Sequence, residues 1–307
     1  MAVIETRGLT RRFNRRIAVE DLTLEVSEGE ILGFLGPNGA GKTTTIRMLA
    51  GIIAPTSGHA VVAGFRTDQE SERLHEVIGL LPEVPGFYER LSAWRNLEFF
   101  ARFYRGLDID SQVEKYLRLM GLWERRGDRV TTFSKGMKMR LALARALLHE
   151  PKVLFFDEPT AGLDPEVARE IRGLILRLGE EGKTVFLSTH NLAEAEQLCR
   201  RIAVVRTRLI ALDTAERLRN RLYRPQLVVK LTSVSESLLI VIQSLPFVRH
   251  LRQAGNQLTL ELTNLDQDRP ELVRRIVEAG GQVLEVSEQP HTLEDVYLSL
   301  VREEGAR

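Results

Sequence analysis

The segment Gly36-Pro37-Asn38-Gly39-Ala40-Gly41-Lys42-Thr43 constrains this chain more than any other part of it. An apolar run, Ile31–Gly36, leads into the segment, and Thr43–Ala50 follow with Ile46 and Leu49 at helical spacing. Strand, glycine-rich turn and helix in that order line up backbone N–H groups at a helix amino terminus, which is a cradle for phosphate. The glycines let the backbone come close because they carry no Cβ. Lys42 neutralises the β- and γ-phosphates of a nucleotide, the Thr43 hydroxyl is placed for Mg²⁺, and Thr44 extends the set of phosphate contacts.

A second apolar run, Val153–Phe156, ends in two adjacent carboxylates, Asp157 and Glu158. Neighbouring side chains on a strand point to opposite sides, so the two acids take different tasks. Asp157 is suited to the water shell of Mg²⁺, and Glu158 to polarising an attacking water. A third run, Thr184–Ser188, follows a helical stretch from about Pro165 to Leu178. Strands alternating with helices predict an α/β fold with a mainly parallel sheet. Between the first and second runs, roughly 91–148, apolar residues such as Leu97, Phe100, Ala101 and Tyr104 recur at helical intervals and predict a helical subdomain.

After about Tyr223 the pattern changes, and the expected division is 1–222 and 223–307. Leu227–Leu231 reads as strand, Ser235–Ser244 as helix, and Val248–Gln253 with Gln257–Leu262 as a strand pair. Pro270–Ala279 then reads as helix and Gln282–Val286 as strand. This β-α-β-β-α-β order is that of a small ferredoxin-like α+β domain. A last helix is predicted from Thr292, capped by its hydroxyl with Asp295 at the third position. Leu293, Val296, Tyr297, Leu300 and Val301 form one face of it, packed either on its own domain or on a second copy.

The charge is balanced, 43 basic against 42 acidic residues, so no general affinity for nucleic acid or anionic lipid is expected. The one cysteine, Cys199, excludes an intrachain disulfide and reads as core. The amino terminus has no apolar segment of the signal-peptide kind, and no uncharged stretch approaches the roughly 20 apolar residues of a membrane span.

Three further segments, with the two above, resemble the ATP-binding cassette (ABC) ATPases. Phe133-Ser134-Lys135-Gly136-Met137 resembles the family signature Leu-Ser-Gly-Gly-Gln and is placed before a helix predicted to begin near Lys138. Ala161-Gly162-Leu163-Asp164 resembles the D-loop, and Ser188-Thr189-His190 the switch histidine. The resemblance implies a homodimer in which Ser134, Lys135, Gly136 and Asp164 meet ATP held by the other subunit, with Glu158 and His190 catalytic. Phe13 stands where the family stacks an aromatic ring on adenine, with a core phenylalanine as the alternative.

The sequence departs from the family at Glu83, where a glutamine is usual, and at Lys135 and Met137. The same departures and the closing Thr292–Tyr297 resemble the export branch, similar to daunorubicin-resistance ATP-binding proteins. That resemblance implies an ATPase with ATP and Mg²⁺ as cofactors and Glu83 as a further metal contact. It also implies an integral-membrane permease that binds the transported drug, lipid or other small molecule, and a cytoplasmic location at the inner face of the membrane. Glu83 to Leu91, with Pro85, Phe87 and Tyr88, is the expected contact with that partner, although the rings would equally cover the protein's own core. A soluble ABC ATPase acting on ribosome or DNA is the alternative.

Overall fold

In the computed structural model, which describes residues 1–222, 226–289 and 292–305, the strand Ile31–Leu35 is buried along its whole length. A strand covered on both faces belongs in the interior of a parallel sheet. Here it is central in a six-stranded sheet ordered Arg208–Asp213, Arg201–Arg206, Ile31–Leu35, Thr184–Thr189, Val153–Asp157 and Ile78–Leu81. Its pairings are parallel except between the first two strands. A second, antiparallel sheet is ordered Arg16–Ser27, Ala2–Phe13, Ser57–Val62 and Phe65–Arg66. Ile4, Leu9, Leu22, Leu24 and Val62 from the second sheet share one core with Leu32, Phe34, Phe155 and Phe186 from the first. Two compact units result, Met1–Ala215 and Glu216–Arg307. The boundary expected after Tyr223 falls at residues outside those described.

The predicted helical region consists of the helices Ala93–Ala101, Ile109–Leu119 and Lys135–Leu147. Each begins at a side-chain cap: Ser92 accepts from the Arg95 N–H, Asp108 from Ser111 and Ser134 from Met137. The third helix starts at Lys135 and not near Lys138, because Ser134 itself is the cap. Leu97, Ala101, Val113, Leu117, Leu141 and Phe156 pack into one core. Asn96, fully buried, holds the preceding loop: Oδ1 accepts from the Tyr88 N–H, and Nδ2 donates to the carbonyls of Tyr88 and Ser92.

In the second unit the strands are ordered Val248–Ala254, Gln257–Leu262, Gln226–Leu231 and Val283–Gln289, all antiparallel. That is the ferredoxin-like order. Leu238 and Ile242 of the helix Glu236–Gln243, and Leu272 and Ile276 of the helix Leu265–Glu278, bury Leu227, Val229, Leu258 and Leu260. The latter helix begins before Pro270, contrary to the expected start. Asn264 caps it, accepting from the Gln267 N–H at 3.2 Å, while Asp268 accepts from the Asn264 N–H at 2.7 Å. The box predicted for the last helix, Leu293–Gly305, is present: Thr292 Oγ1 accepts from the Asp295 N–H and Asp295 from the Thr292 N–H. Leu293 and Val296 are buried, and the side chains of Leu300 and Val301 lie outside the described residues.

Removing the Asn96 side chain leaves the Tyr88 N–H without its partner, while the Tyr88 and Ser92 carbonyls keep the N–H groups of Leu91 and Asn96. Asn96→Ala is expected to cost about 1–3 kcal/mol, read as an earlier midpoint in urea unfolding followed by circular dichroism.

Candidate active site

Three neighbouring parallel strands end side by side, with Leu35 opposite Thr189 and Asp157 opposite Ser188. The residues that follow each strand therefore converge, which is where open parallel sheets bind ligands. Ile31–Leu35 runs into the phosphate loop, Val153–Asp157 into Glu158, and Thr184–Thr189 into His190.

The loop needs glycine at two positions on this geometry. A Cβ on Gly36 would stand 2.5 Å from the Val205 carbonyl oxygen, and one on Gly41 only 2.3 Å from that of Ala18. Gly41 also has φ 97°, a left-handed conformation, and is the residue before the helix Lys42–Leu49 with no side-chain cap. The first N–H groups of that helix are thus presented by backbone alone.

Lys42 is buried, with 6% of its surface exposed. Its Nζ donates to the Gly36 carbonyl at 2.8 Å and that of Pro37 at 3.3 Å, and lies 3.1 Å from Glu158 Oε1. The contact with Oε1 is ionic and poorly aligned, for this buried oxygen accepts no hydrogen bond of good geometry. Glu158 Oε2 lies 2.8 Å from His190 Nδ1, and His190 is half exposed at the cleft. Glu158 has φ +53°, a strained value for a residue with a Cβ. Its N–H donates to the Ser188 carbonyl at 3.1 Å. Asp157 is buried and accepts from Ser188 Oγ at 2.5 Å.

A cleft of about 530 Å³ is lined by Phe13, Asn38, Gly39, Gly41, Lys42, Thr43, Thr44, Glu83, Glu158 and His190. An adjoining recess brings Thr43 and Glu83 together with Asp157. The two carboxylates do face different surroundings, but not through strand alternation: the strand ends at Asp157, and Glu158 turns away in a left-handed conformation. Phe13 is 44% exposed, with the Arg11 guanidinium 4.6 Å from its ring centre, so it is no core residue. Gly36 and Pro37 serve through their carbonyls, and Ala40 is buried behind the loop.

Ser134, Lys135, Gly136 and Asp164 do not line this cleft. Lys135 Nζ instead donates to the Ala161 carbonyl at 2.7 Å. Cys199 packs against Gly33, where a Cβ would lie 2.8 Å from Sγ, and burial pushes its thiol pKa up, as suits a core residue. Two residues at or next to the site carried no sequence signal: Arg16, on the cleft wall, and Glu194, a 2% exposed acid in the first turn of a short helix behind the histidine turn.

Residues 19–161 match the ABC transporter family, and 214–301 match the DrrA1-3-like ATP-binding protein carboxyl-terminal domain. The bacitracin transport ATP-binding protein BcrA of Bacillus licheniformis is 36% identical over 97% of both chains. The chain belongs to the ABC transporter ATP-binding proteins. The fluoroquinolones export ATP-binding protein of Mycobacterium tuberculosis is 42% identical over 71% of this chain and 72% of its own. A solved dimer of the bacterial ABC transporter cassette MJ0796 superposes with TM-score 0.64, at 25% identity, over 69% of this chain and 98% of that one. This ABC subunit is accordingly an ATP-binding ATPase, and no helix among its described residues is long and apolar enough to cross a membrane.

Gly41→Ala is expected to weaken ATP binding by roughly tenfold or more, since left-handed strain alone costs about 1–3 kcal/mol. Titration with a fluorescent ATP analogue measures this; affinity equal to wild type would mean that the loop does not hold the phosphates.

Proposed function

We propose that this subunit hydrolyses Mg²⁺-ATP to drive a separate membrane permease, and that it does so as a homodimer in which each signature segment completes the partner's site. The observation that carries this reading is the buried pair Lys42 and Glu158, with the half-exposed His190 on the other carboxylate oxygen, at one end of the parallel sheet. An ammonium and a carboxylate buried together attract each other strongly. The γ-phosphate would compete for Lys42 and leave Glu158 Oε1 to accept a proton from the attacking water, while His190 holds Oε2 and reaches the open cleft. Glu158 is then the base and His190 the contact to the γ-phosphate.

The donors around Thr43 suit Mg²⁺: one hydroxyl and the carboxylates of Asp157 and Glu83, all hard oxygens in one recess. Among the described residues no cluster of three acidic, histidine or cysteine side chains would hold a metal alone. That fits an ion that arrives with phosphate and water. Bound there, it would neutralise charge on the β- and γ-phosphates. Phe13, half exposed on the cleft wall, is placed to stack on adenine.

Ser134, Lys135, Gly136 and Asp164 lie outside the cleft of their own chain, which supports their acting on ATP held by a second copy. That a related cassette is a dimer supports the association of two copies. Helix Lys135–Leu147 would turn the positive end of its dipole to that phosphate.

The contact with the permease is best placed at the edge of the helical region. Tyr88 is 50% exposed, Phe99 and Phe103 are exposed, and a recess of about 240 Å³ is lined by Ile52, Pro82, Phe100, Tyr104 and Arg145. Phe87, by contrast, packs into the core, so this stretch divides between the two expected uses. The names of the bacitracin and fluoroquinolone relatives support export of a drug or similar small molecule, bound by the permease, with this subunit cytoplasmic at the inner face of the membrane. No observation favours a soluble partner such as the ribosome or DNA.

Glu158→Gln should retain ATP binding and lose turnover by roughly 100-fold or more, the usual worth of a positioned base. Tagged Glu158→Gln protein, purified from its native cells with ATP and Mg²⁺, should bring down a polytopic membrane protein. Turnover equal to wild type would remove Glu158 from the role of base.

A further inference from the structure

Glu194 has no part in the reaction as derived above, yet it is a carboxylate with 2% of its surface exposed, in the short helix Leu192–Leu198. Both of its oxygens are used, one by the loop after Glu158 and one by the last residue of the strand before His190. Thr160 Oγ1 donates to Oε1 at 2.6 Å, and Thr189 Oγ1 donates to Oε2 at 2.7 Å. The Thr189 hydroxyl also accepts from the Asn191 N–H at 3.0 Å, and Asn191 Oδ1 accepts from the Glu194 N–H at 3.2 Å. A buried carboxylate is stable only when hydrogen bonds compensate its lost hydration, so this arrangement is tightly specified.

Thr189 directly precedes His190, and Thr160 lies just beyond Glu158. The Glu194 carboxylate therefore spans the same two chain segments that meet in the contact between His190 and Glu158 at 2.8 Å. Glu158 has the left-handed φ of +53°, a conformation that persists only where the surroundings over-determine it. The backbone bonds Glu158 N–H to Ser188 and Ala161 N–H to the Glu158 carbonyl constrain this turn. Thr160 adds the side-chain constraint that ties the turn to the histidine loop.

We propose that Glu194 is a positioning residue for ATP hydrolysis, clamping the histidine turn to the loop after Glu158 through Thr189 and Thr160. The proposal rests on the reading of Glu158 and His190 as the hydrolytic pair. Its effect lies on the spacing of that pair and not on the nucleotide, because Glu194 does not line the cleft.

Glu194→Ala in the full chain should lower kcat for ATP by roughly 10- to 100-fold, the scale of a small misplacement of catalytic groups. KM, and the amount of nucleotide bound per chain, should stay within about twofold of wild type, since a misplaced pair leaves ground-state binding intact. Glu194→Gln, whose amide can accept from one hydroxyl and donate to the other, should recover part of kcat. Thr160→Val and Thr189→Val should each lower kcat, and the double variant should lose clearly less than the product of the two losses, because both cut one clamp. Wild-type kcat in Glu194→Ala, or multiplicative losses in the threonine pair, would overturn the clamp. So would a loss of bound nucleotide matching the loss of kcat, which is the mark of a merely structural role. Lys42→Ala keeps the two questions apart: wild-type turnover in that variant would overturn the site itself, and the clamp with it.

Discussion

The register of three parallel strands is the constraint on which the rest of the cassette depends. Leu35 opposite Thr189 and Asp157 opposite Ser188 fix, to within one residue, where the phosphate loop, the acidic pair and the histidine turn leave the sheet. A slip by one residue in either pairing would reverse the facing of Asp157 and Glu158 or move His190 away from its carboxylate. The burial of Ile31–Leu35, Val153–Asp157 and Thr184–Thr189 makes such slips costly, because each would carry polar groups into the core. Function at the rim is thus secured by apolar packing in the interior.

Around that rim the chemistry is divided by surroundings. Asp157 is buried with Ser188 and faces the recess of Thr43 and Glu83, whereas Glu158 turns through a strained backbone to meet Lys42 and His190. Two adjacent carboxylates thereby reach different neighbours. On the reading proposed here, the cleft of one chain holds the nucleotide and its general base but lacks the signature. Dependence of hydrolysis on association of two chains would then follow directly from where Ser134 and Gly136 sit.

Much of this was legible in the sequence because the phosphate loop, the acidic strand and the histidine turn are local patterns with fixed spacing. The ferredoxin-like order after residue 226 was legible from alternation alone, and the capping box at Thr292 and Asp295 from two residues. Helix starts were less so. Ser134 and Asn264 begin their helices earlier than apolar spacing or Pro270 suggested, because a cap acts through one hydrogen bond that periodicity does not register. Glu194 could not be read at all. An acid in the first turn of a helix is ordinarily a solvated partner of the helix dipole, and only the folded register brings Thr160 and Thr189 to it.

The most direct test of the central claim, a hydrolytic site shared between two copies, is complementation between inactive variants. Lys42→Ala removes the phosphate cation, and Ser134→Arg blocks the signature segment. A mixed dimer of the two contains one site with both elements intact. The account predicts that each variant alone lacks ATPase activity and that mixing them restores turnover. Undiminished hydrolysis by Ser134→Arg alone, or a mixture as inactive as its components, would contradict it.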